Sequence, residues 1–251
     1  MATDTDVASP DQTSADARRR GRHPIAGPVS TLILLFARAV TAVRANWSPA
    51  GGPARQHVYF ANHSSHGDFI LIWTVLPPRE RRRTRPVAGA EYWLKSRLTR
   101  FIGRDVFNAV LIERQQETRS EDPVARMAGT LDEGASLILF PEGTRNQTED
   151  PLLPFKSGLY HLSRLRPDVE LVPVWISNLN RVMPKGEFVP IPLICTVTFG
   201  EPLRVHADEP KQDFHDRARD ALLSLSPHTD TAACPRPAPI SSPSCSASAP
   251  S

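Results

Sequence analysis

Short apolar segments alternate with helical segments along most of this 251-residue chain, and this alternation constrains the fold more than any other feature. Runs of apolar and β-branched residues, each ending at a polar or turn-forming residue, predict strands at 58–61, 86–90, 110–112, 136–140, 171–176 and 193–199. The segments between them predict helices at 69–76, 93–101, 123–133, 158–165 and 210–225. Strands and helices that alternate at this spacing predict an α/β fold with a mixed, mainly parallel sheet flanked by helices.

One folded domain is predicted between two tails. Residues 1–24 are polar and acidic, without hydrophobic periodicity, which is typical of a disordered tail. Residues 227–251 consist largely of Pro, Ser and Ala, a composition that cannot build a core. The remainder, 25–226, is therefore the predicted domain. The three cysteines show no CxxC spacing, which favours a reducing compartment.

The longest apolar stretch, residues 29–43, lies near the start of this domain and is interrupted by Arg38. It is shorter than the roughly 20 apolar residues that a spanning helix requires. Because arginines precede and follow it, we expect a membrane-associating helix region at 25–48 that lies on an anionic membrane surface. The alternative interpretation is a first core helix, and the two interpretations are compatible.

Positive charge is concentrated in the arginine-rich run at 79–85. The formal net charge of the chain is +3 and its pI is near 9.0, a mild bias towards anionic partners. The run has no interleaved aromatic residues, and no nucleic-acid-binding module accompanies it, so no nucleic-acid partner is expected. It is better interpreted as facing a lipid surface or solvent.

Segment 62–68 brings an imidazole close to a carboxylate. Five residues separate His63 from Asp68, and on one ideal helix they would point to different sides. We therefore expect His63 in a strand-to-helix turn, Ser64 or Ser65 as the helix cap, and Asp68 in the first turn. The carboxylate can then accept from one ring nitrogen and leave the other as a general base. The plainer alternative is that Asp68 only caps the helix.

A metal site is a rival interpretation of the same segment. The spacing H-x-x-H-x-D places three potential metal donors, His63, His66 and Asp68, close together. A site of this kind would normally be completed by a ligand from elsewhere. The other histidines are scattered along the sequence, so we expect no metal.

The string Phe-Pro-Glu-Gly-Thr-Arg at 140–145 follows a predicted strand and indicates a turn that binds an anion. Gly143 favours a tight turn, and Arg145 offers a planar fork of donors suited to phosphate oxygens. Glu142 would accept from a hydroxyl group or hold Arg145. A surface ion pair on a loop is the alternative.

Two further cations are candidates for the same anion. Arg114 follows Glu113 at the end of a predicted strand, and Lys156 precedes a predicted helix whose N-terminus favours anions. Ligand sites of open α/β sheets lie at the carboxyl ends of strands. We therefore expect the clusters that begin at Asn62, Glu113 and Pro141 to converge on one pocket.

Together these motifs resemble those of the glycerolipid acyltransferase family, whose best-known members acylate lysophosphatidate to phosphatidate. N-H-x-S-x-x-D occurs at 62–68 and F-P-E-G-T-R at 140–145. The segment ending in Glu113-Arg114 resembles the family's second block, with Asn108 where glycine is common. The string Val-Pro-Val at 172–174 is similar to the fourth block, a strand with a proline assigned to acyl-donor binding.

The resemblance covers roughly residues 30–205 and implies an O-acyltransferase whose donor is acyl-CoA or acyl carrier protein and whose acceptor is lysophosphatidate. His63 would be the general base, and Asp68 would orient it. The residues expected to bind the acceptor are Arg114, Glu142, Gly143, Thr144, Arg145 and Lys156. The resemblance further implies no cofactor, no metal, and a peripheral or monotopic position on the cytoplasmic face of a membrane.

Three other functions remain open. The same chemistry could serve glycerol phosphate, another lysophospholipid or a lyso-aminolipid as acceptor. A metal-dependent hydrolase would use His63, His66 and Asp68 as ligands. A catalytically silent membrane-binding module would need no base, and the intact pair of His63 and Asp68 argues against it.

Overall fold

The computed structural model describes residues 23–48, 56–65, 67–113, 121–177 and 195–227. These residues form a seven-stranded sheet with helices on both faces. The strands are β1 (Arg44–Trp47), β2 (His57–Ala61), β3 (Thr84–Gly89), β4 (Val110–Ile112), β5 (Ser136–Leu139), β6 (Glu170–Ser177) and β7 (Thr196–Phe199). The helices are α1 (Ala26–Thr41), α2 (Asp68–Val75), α3 (Pro78–Arg83), α4 (Ala90–Trp93), α5 (Arg97–Phe101), α6 (Pro123–Asp132), α7 (Gly158–Leu165) and α8 (Lys211–Leu223), and a π-helical turn at Ile102–Val106 continues α5.

The strand order is β1-β7-β6-β2-β5-β3-β4. The central strand β2 pairs in parallel with β5 on one side and β6 on the other. Of the described pairs, β6 with β7 is antiparallel, so β7 and its parallel neighbour β1 run against the other strands. The predicted mixed, mainly parallel sheet flanked by helices is therefore confirmed.

The core forms two layers, and β2 shows why. Val58 and Phe60 pack into the layer under α6, α7 and α8, whereas Tyr59 and Ala61 pack into the layer under α1 and α2. This follows from the two-residue period of a strand. Every residue of β2 is buried, because helices cover both faces of the sheet. The chain that leaves β2 therefore starts from a fixed position.

The main difference from the predicted elements is β1. The helix α1 ends at Thr41, and Ala42 adopts a left-handed φ of 40°. Arg44–Trp47 then pairs with β7 at the edge of the sheet, so the end of the predicted helix region at 25–48 belongs to the sheet. Arg44, Asn46 and Trp47 are all exposed, and a strand without an alternating apolar face gives no sequence signal.

The helix predicted at 93–101 is divided in two. Ser96 stands between α4 and α5, and its hydroxyl accepts a hydrogen bond from the Thr99 N–H at 3.1 Å. The Thr99 hydroxyl accepts from the Ser96 N–H at 3.2 Å, which completes a capping box. A reciprocal cap of this kind starts a new helix.

The arginine-rich run at 79–85 is also ordered rather than a solvated loop. Most of it forms α3, which begins at Pro78, and the remainder enters β3. Within α3, Arg83 pairs with Glu80 at 2.7 Å. The predicted tails at 1–24 and 227–251 lie almost entirely outside the described residues.

Candidate active site

His63 lies in the turn between β2 and α2, and Asp68 is the first residue of α2. His63 Nδ1 is 2.8 Å from Asp68 Oδ2. The same oxygen accepts hydrogen bonds from the N–H groups of Ser64 at 2.7 Å and Ser65 at 2.9 Å. The contact expected from the spacing is thus present, and three donors fix one buried carboxylate oxygen. Neither serine side chain caps α2, since Gly67 precedes the helix.

This geometry leaves Nε2 of His63 available as a base. An ionised carboxylate can only accept, so Nδ1 carries the ring proton and Nε2 keeps its lone pair. The imidazole stacks on Phe140, with ring centroids 4.2 Å apart and an interplanar angle of 19°. The His63 side chain is still 14% exposed. A proton acceptor that is oriented by a buried carboxylate and open at one edge is suited to general-base catalysis.

Glu142 connects the turn after β5 to the segment that holds His63. Its Oε1 accepts from the His63 N–H and its Oε2 from the Leu153 N–H, both at 2.8 Å. Burial raises the pKa of the Glu142 carboxyl, and the two N–H donors act in the opposite direction. Glu142 is only 2% exposed. Both oxygens thus hold the main chain in position, and neither is paired with Arg145 among the described residues; that Glu142 accepts from the acceptor's hydroxyl stays a prediction.

The turn after β5 depends on Gly143. Its φ of +69° lies in the left-handed region that glycine adopts readily, and its N–H donates to the Phe140 carbonyl at 3.0 Å. A Cβ at this position would lie 2.7 Å from Lys156 Cε, so the Lys156 side chain packs directly on the glycine. The Lys156 N–H also donates to the Pro141 carbonyl at 2.8 Å. The structure thus brings Lys156 to this turn.

Arg145 and Lys156 provide positive charge beside the turn. Arg145 is partly buried, whereas Lys156 and the neighbouring Thr144 are exposed. Neither cation forms an ion pair with a carboxylate among the residues that the structure describes. A guanidinium and an ammonium group without an acidic partner can both donate to phosphate oxygens.

The third predicted cluster lies farther away. β4, which ends before Glu113, is separated from β5 by β3. At the usual spacing of strands, this places the end of β4 about 10 Å from the end of β5. The clusters that begin at Asn62 and Pro141 converge, because they follow the adjacent strands β2 and β5. The cluster that begins at Glu113 follows β4, two strands away from β5. Arg114 itself falls outside the described residues.

Two contributions to the site were not predicted from the sequence. Asn62 accepts from the Ile176 N–H at 2.8 Å and donates to the Ile176 carbonyl at 3.1 Å, which continues the pairing of β2 with β6 by one residue. Phe140 supports the imidazole from one face. For Asn62, the available signal was a buried strand followed at once by asparagine. For Phe140, nothing in the sequence indicated that it would stack on the imidazole.

Two donor atoms of the predicted metal ligands are already engaged in hydrogen bonds. Asp68 Oδ2 already accepts three hydrogen bonds, and His63 Nδ1 is used in one of them. Across the described residues, no group of three or more His, Cys, Asp or Glu side chains could hold a metal ion. His66, the remaining predicted ligand, is not among those residues.

Comparison with known proteins agrees with the fold. Residues 43–177 match the Acyltransferase family, and the chain belongs to this family. The matched span includes every element of the site from His63 to Lys156. The family thus defines the class of protein to which this site belongs.

Particular relatives extend the comparison. The chain is 28% identical over 137 residues to a 1-acyl-sn-glycerol-3-phosphate acyltransferase from Haemophilus influenzae, which covers 49% of this chain and 51% of the relative. It is 28% identical over 138 residues to the enzyme of that name from Escherichia coli, covering 50% and 51%. The chain therefore spans about half the length of these relatives.

A solved structure shares the fold. The crystal structure of the 1-acyl-sn-glycerophosphate (LPA) acyltransferase PlsC from Thermotoga maritima superposes with a TM-score of 0.61. The match covers 89% of this chain and 88% of that chain, at 19% sequence identity. The arrangement of the sheet and its flanking helices is thus common to both proteins.

Proposed function

We propose that the chain is an O-acyltransferase that moves a fatty acyl group from an acyl thioester to the free hydroxyl of lysophosphatidate, giving phosphatidate. The observation that carries this proposal is the contact of His63 with Asp68, which leaves Nε2 open; Arg145 and Lys156, which form no ion pair within the described ranges, lie at the turn after the neighbouring strand. The names of the relatives support the same reaction.

The reaction needs one base and no nucleophile from the protein. His63 Nε2 takes the proton of the acceptor hydroxyl while its oxygen attacks the thioester carbonyl carbon and a C–O bond forms. Asp68 stabilises the imidazolium that results. The tetrahedral intermediate collapses with cleavage of the C–S bond. The imidazolium then gives its proton to the departing sulfur, so a free thiol leaves and His63 is neutral again.

The acceptor's phosphate monoester is the group that Arg145 and Lys156 would hold. Arg145 lies on the turn that follows β5, and the Lys156 side chain packs against that turn at Gly143, next to the strand that leads to His63. Binding the phosphate there would place the acceptor hydroxyl near Nε2 and raise its effective concentration. Gly143 and Thr144 shape the turn, and Arg114 is proposed as a further contact. Acceptors that lack a phosphate would lose this interaction.

The acceptor is a lipid, and α1 offers a surface for reaching it. The apolar side chains of Ile25, Leu32, Leu35 and Phe36 are 52%, 67%, 59% and 64% exposed. They lie on one face of α1, while Val29, Ile33 and Val40 on another face pack against the core. No helix among the described residues is long and apolar enough to cross a membrane. We therefore propose peripheral attachment through α1 on the cytoplasmic face of a membrane.

The test is transfer of a radiolabelled acyl group to a panel of acceptors. Acyl-CoA and acyl carrier protein are each used as donor, and the acceptors are lysophosphatidate, glycerol phosphate, a neutral lysophospholipid and a lyso-aminolipid. Labelled phosphatidate that requires His63 supports the proposal. Labelling of a different acceptor would retain the mechanism and replace the substrate. Activity that a chelator abolishes would instead support the metal-dependent hydrolase.

A further inference from the structure

A polar cavity of about 170 Å³ lies between α1, α3 and the turn before β4. Its wall includes Ser30 and Thr31 of α1, Arg81 and Arg82 of α3, and Asn108. It also includes Thr84, the first residue of β3, so the cavity lies at the amino edge of the sheet. The helix α2, which is 8 residues long, spans about 12 Å between His63 at one end and this cavity at the other.

The charge around the cavity is positive. Arg81 donates from Nε to the Trp73 carbonyl at 2.9 Å and from Nη2 to the Thr74 and Leu76 carbonyls at 2.9 and 2.8 Å. Its Nη1 has no hydrogen-bond partner in the part of the chain that the structure describes. Arg81 thus binds the carbonyl groups at the end of α2 through Nε and Nη2. Its Nη1 remains available as a donor at the cavity.

Two more arginines add to this field. Arg82 lines the cavity, and Arg38 lies one turn beyond the cavity-lining Leu34 on α1. Neither forms an ion pair with an acidic side chain in the described ranges. Burial, and secondarily the charge of Arg38, lowers the pKa of the Arg81 guanidinium. Positive groups that repel one another beside a cavity would be stabilised by a bound anion.

Asn108 supplies an uncharged donor. Its φ of 51° lies in the left-handed region, which glycine adopts most readily. Asparagine tolerates this conformation better than most residues, and here its side chain lines the cavity. Its amide makes no hydrogen bond to any other described residue. The hydroxyls of Ser30 and Thr31 both donate to the Gly27 carbonyl, and that of Thr84 donates to the Glu80 carbonyl, so these three hydroxyls are engaged whereas the Asn108 amide is available.

The position of the cavity identifies the source of the anion. On α1, the face with Thr31, Leu34 and Arg38 lies beside the exposed apolar face of Leu32, Leu35 and Phe36. If the apolar face rests on a bilayer, the cavity lies at the level of the lipid phosphates. A phosphate carried by a lipid can then reach the arginines without leaving the membrane.

We propose that this cavity binds the phosphate group of an anionic phospholipid headgroup, held by Arg81, Arg82 and Asn108. The proposal rests on the attachment of α1 to a membrane, and it assigns a lipid site separate from the acyl-transfer site. The bound headgroup would anchor α1 at a fixed depth, with the apolar face in the acyl region and the arginines at the phosphates.

The test measures binding of the full chain to vesicles of phosphatidylcholine alone and of phosphatidylcholine mixed with phosphatidylglycerol. Asn108→Gly removes the amide without altering net charge and suits the left-handed backbone. Arg82→Gln removes a cavity charge, and Arg79→Gln removes a charge from an exposed arginine of the same run that does not line the cavity. Arg81 is left intact because it closes α2.

On the mixed vesicles we expect Asn108→Gly to weaken binding about threefold and Arg82→Gln about tenfold. Arg79→Gln should weaken it less than Arg82→Gln, particularly at raised ionic strength, which screens an exposed charge. Binding to phosphatidylcholine alone should change little in any variant, because the choline cation neutralises the phosphate of that headgroup. Equal losses for Arg79→Gln and Arg82→Gln, with none for Asn108→Gly, would overturn the site in favour of diffuse surface charge.

Soluble ligands separate this inference from membrane attachment itself. Short-chain dihexanoyl phosphatidylglycerol should raise the thermal unfolding midpoint of the wild-type chain, and Asn108→Gly should lose most of that shift. Wild-type chain that binds neither vesicle would refute attachment through α1, while the soluble lipid still tests the cavity. If inorganic phosphate stabilises the chain as strongly as the soluble lipid does, the cavity binds small anions and the lipid assignment is wrong.

Discussion

The two ends of strand β2 carry two histidines in contrasting environments. His57 begins the strand at the amino edge of the sheet, and His63 follows it at the carboxyl edge. His57 is 4% exposed, its Nε2 lies 3.5 Å from Glu170 Oε2, and its Nδ1 lies 3.5 Å from Tyr59 Oη. His63 uses Nδ1 alone, towards Asp68, and its side chain is 14% exposed.

This contrast teaches that an imidazole next to a carboxylate does not by itself make a catalytic site. Both histidines have an acidic neighbour, but each ring nitrogen of His57 faces a protein side chain, the buried Tyr59 or the partly buried Glu170. The nitrogen of His63 that points away from Asp68 faces an edge where a substrate can enter. The location at the carboxyl end of a parallel strand, where chain segments diverge, provides that access.

The largest expected effect separates the two histidines directly. His63→Ala should lower kcat/KM for acyl transfer roughly 10³-fold or more, because it removes the base. His57→Gln should leave kcat/KM within about twofold of wild type, since it lies at the opposite edge of the sheet. Steady-state assays on both variants, with circular dichroism to verify folding, provide the measurement. Comparable losses of activity in folded His63 and His57 variants would mean that the two histidines do not differ in their importance for catalysis.

A smaller loss is expected when the orienting carboxylate is changed. Asp68→Asn should lower kcat about 10²-fold or more while the KM for each substrate changes little. The amide can present a donor to Nδ1, which would place the proton on Nε2 and block the base. The measurement is kcat across the pH range. Full activity in this variant would mean that Asp68 serves only to hold the N–H groups of Ser64 and Ser65.

The sequence was sufficient to predict the centre of the fold. The buried strand at β2 and the helix α2 carry runs that are apolar nearly throughout, and the helix α7 was predicted with its observed bounds, Gly158–Leu165. β1 was missed because its exposed residues show no alternation. The break at Ser96 was missed because a capping box is weaker than an apolar run as a signal, although it ends a helix as effectively.

For the site, spacing predicted the contact of His63 with Asp68, since a turn of fixed length permits few arrangements. It did not predict what Glu142 does. A glutamate between proline and glycine shows no sign of burial, and its two main-chain partners, at His63 and Leu153, are remote in sequence. Contacts of that kind depend on how β2 and β5 pair, which a single sequence does not contain.

The cations of the turn allow a prediction about substrate binding at the carboxyl edge. Arg145→Ala should raise the KM for lysophosphatidate about tenfold and leave the KM for the acyl thioester nearly unchanged, because a charge-assisted contact to phosphate is lost. Arg126→Ala is the matched control, since Arg126 is an arginine on the surface of α6 that pairs with Glu121 at 3.1 Å. If both variants behave alike, the phosphate is held by other residues.

The smallest effect concerns the pH dependence of stability, and it tests His57. Burial lowers the pKa of His57 from 6.5, against the attraction of Glu170 and Glu80 and together with the repulsion of Arg83. As the pH falls below about 6.5, His57 is therefore protonated in the unfolded chain but stays neutral in the folded chain. The free energy of unfolding decreases as a result. Above that pH the imidazole is neutral in both states and contributes no dependence.

His57→Gln should remove this contribution. Between pH 7.5 and 5.5, urea denaturation should show wild type losing up to about 1 kcal/mol more stability than the variant. A wild-type chain that instead gains stability relative to the variant as the pH falls would mean that Glu170 holds the imidazole protonated. The two ends of β2 would then carry similar histidine–carboxylate pairs, and access to the second ring nitrogen alone would distinguish the base from its structural counterpart.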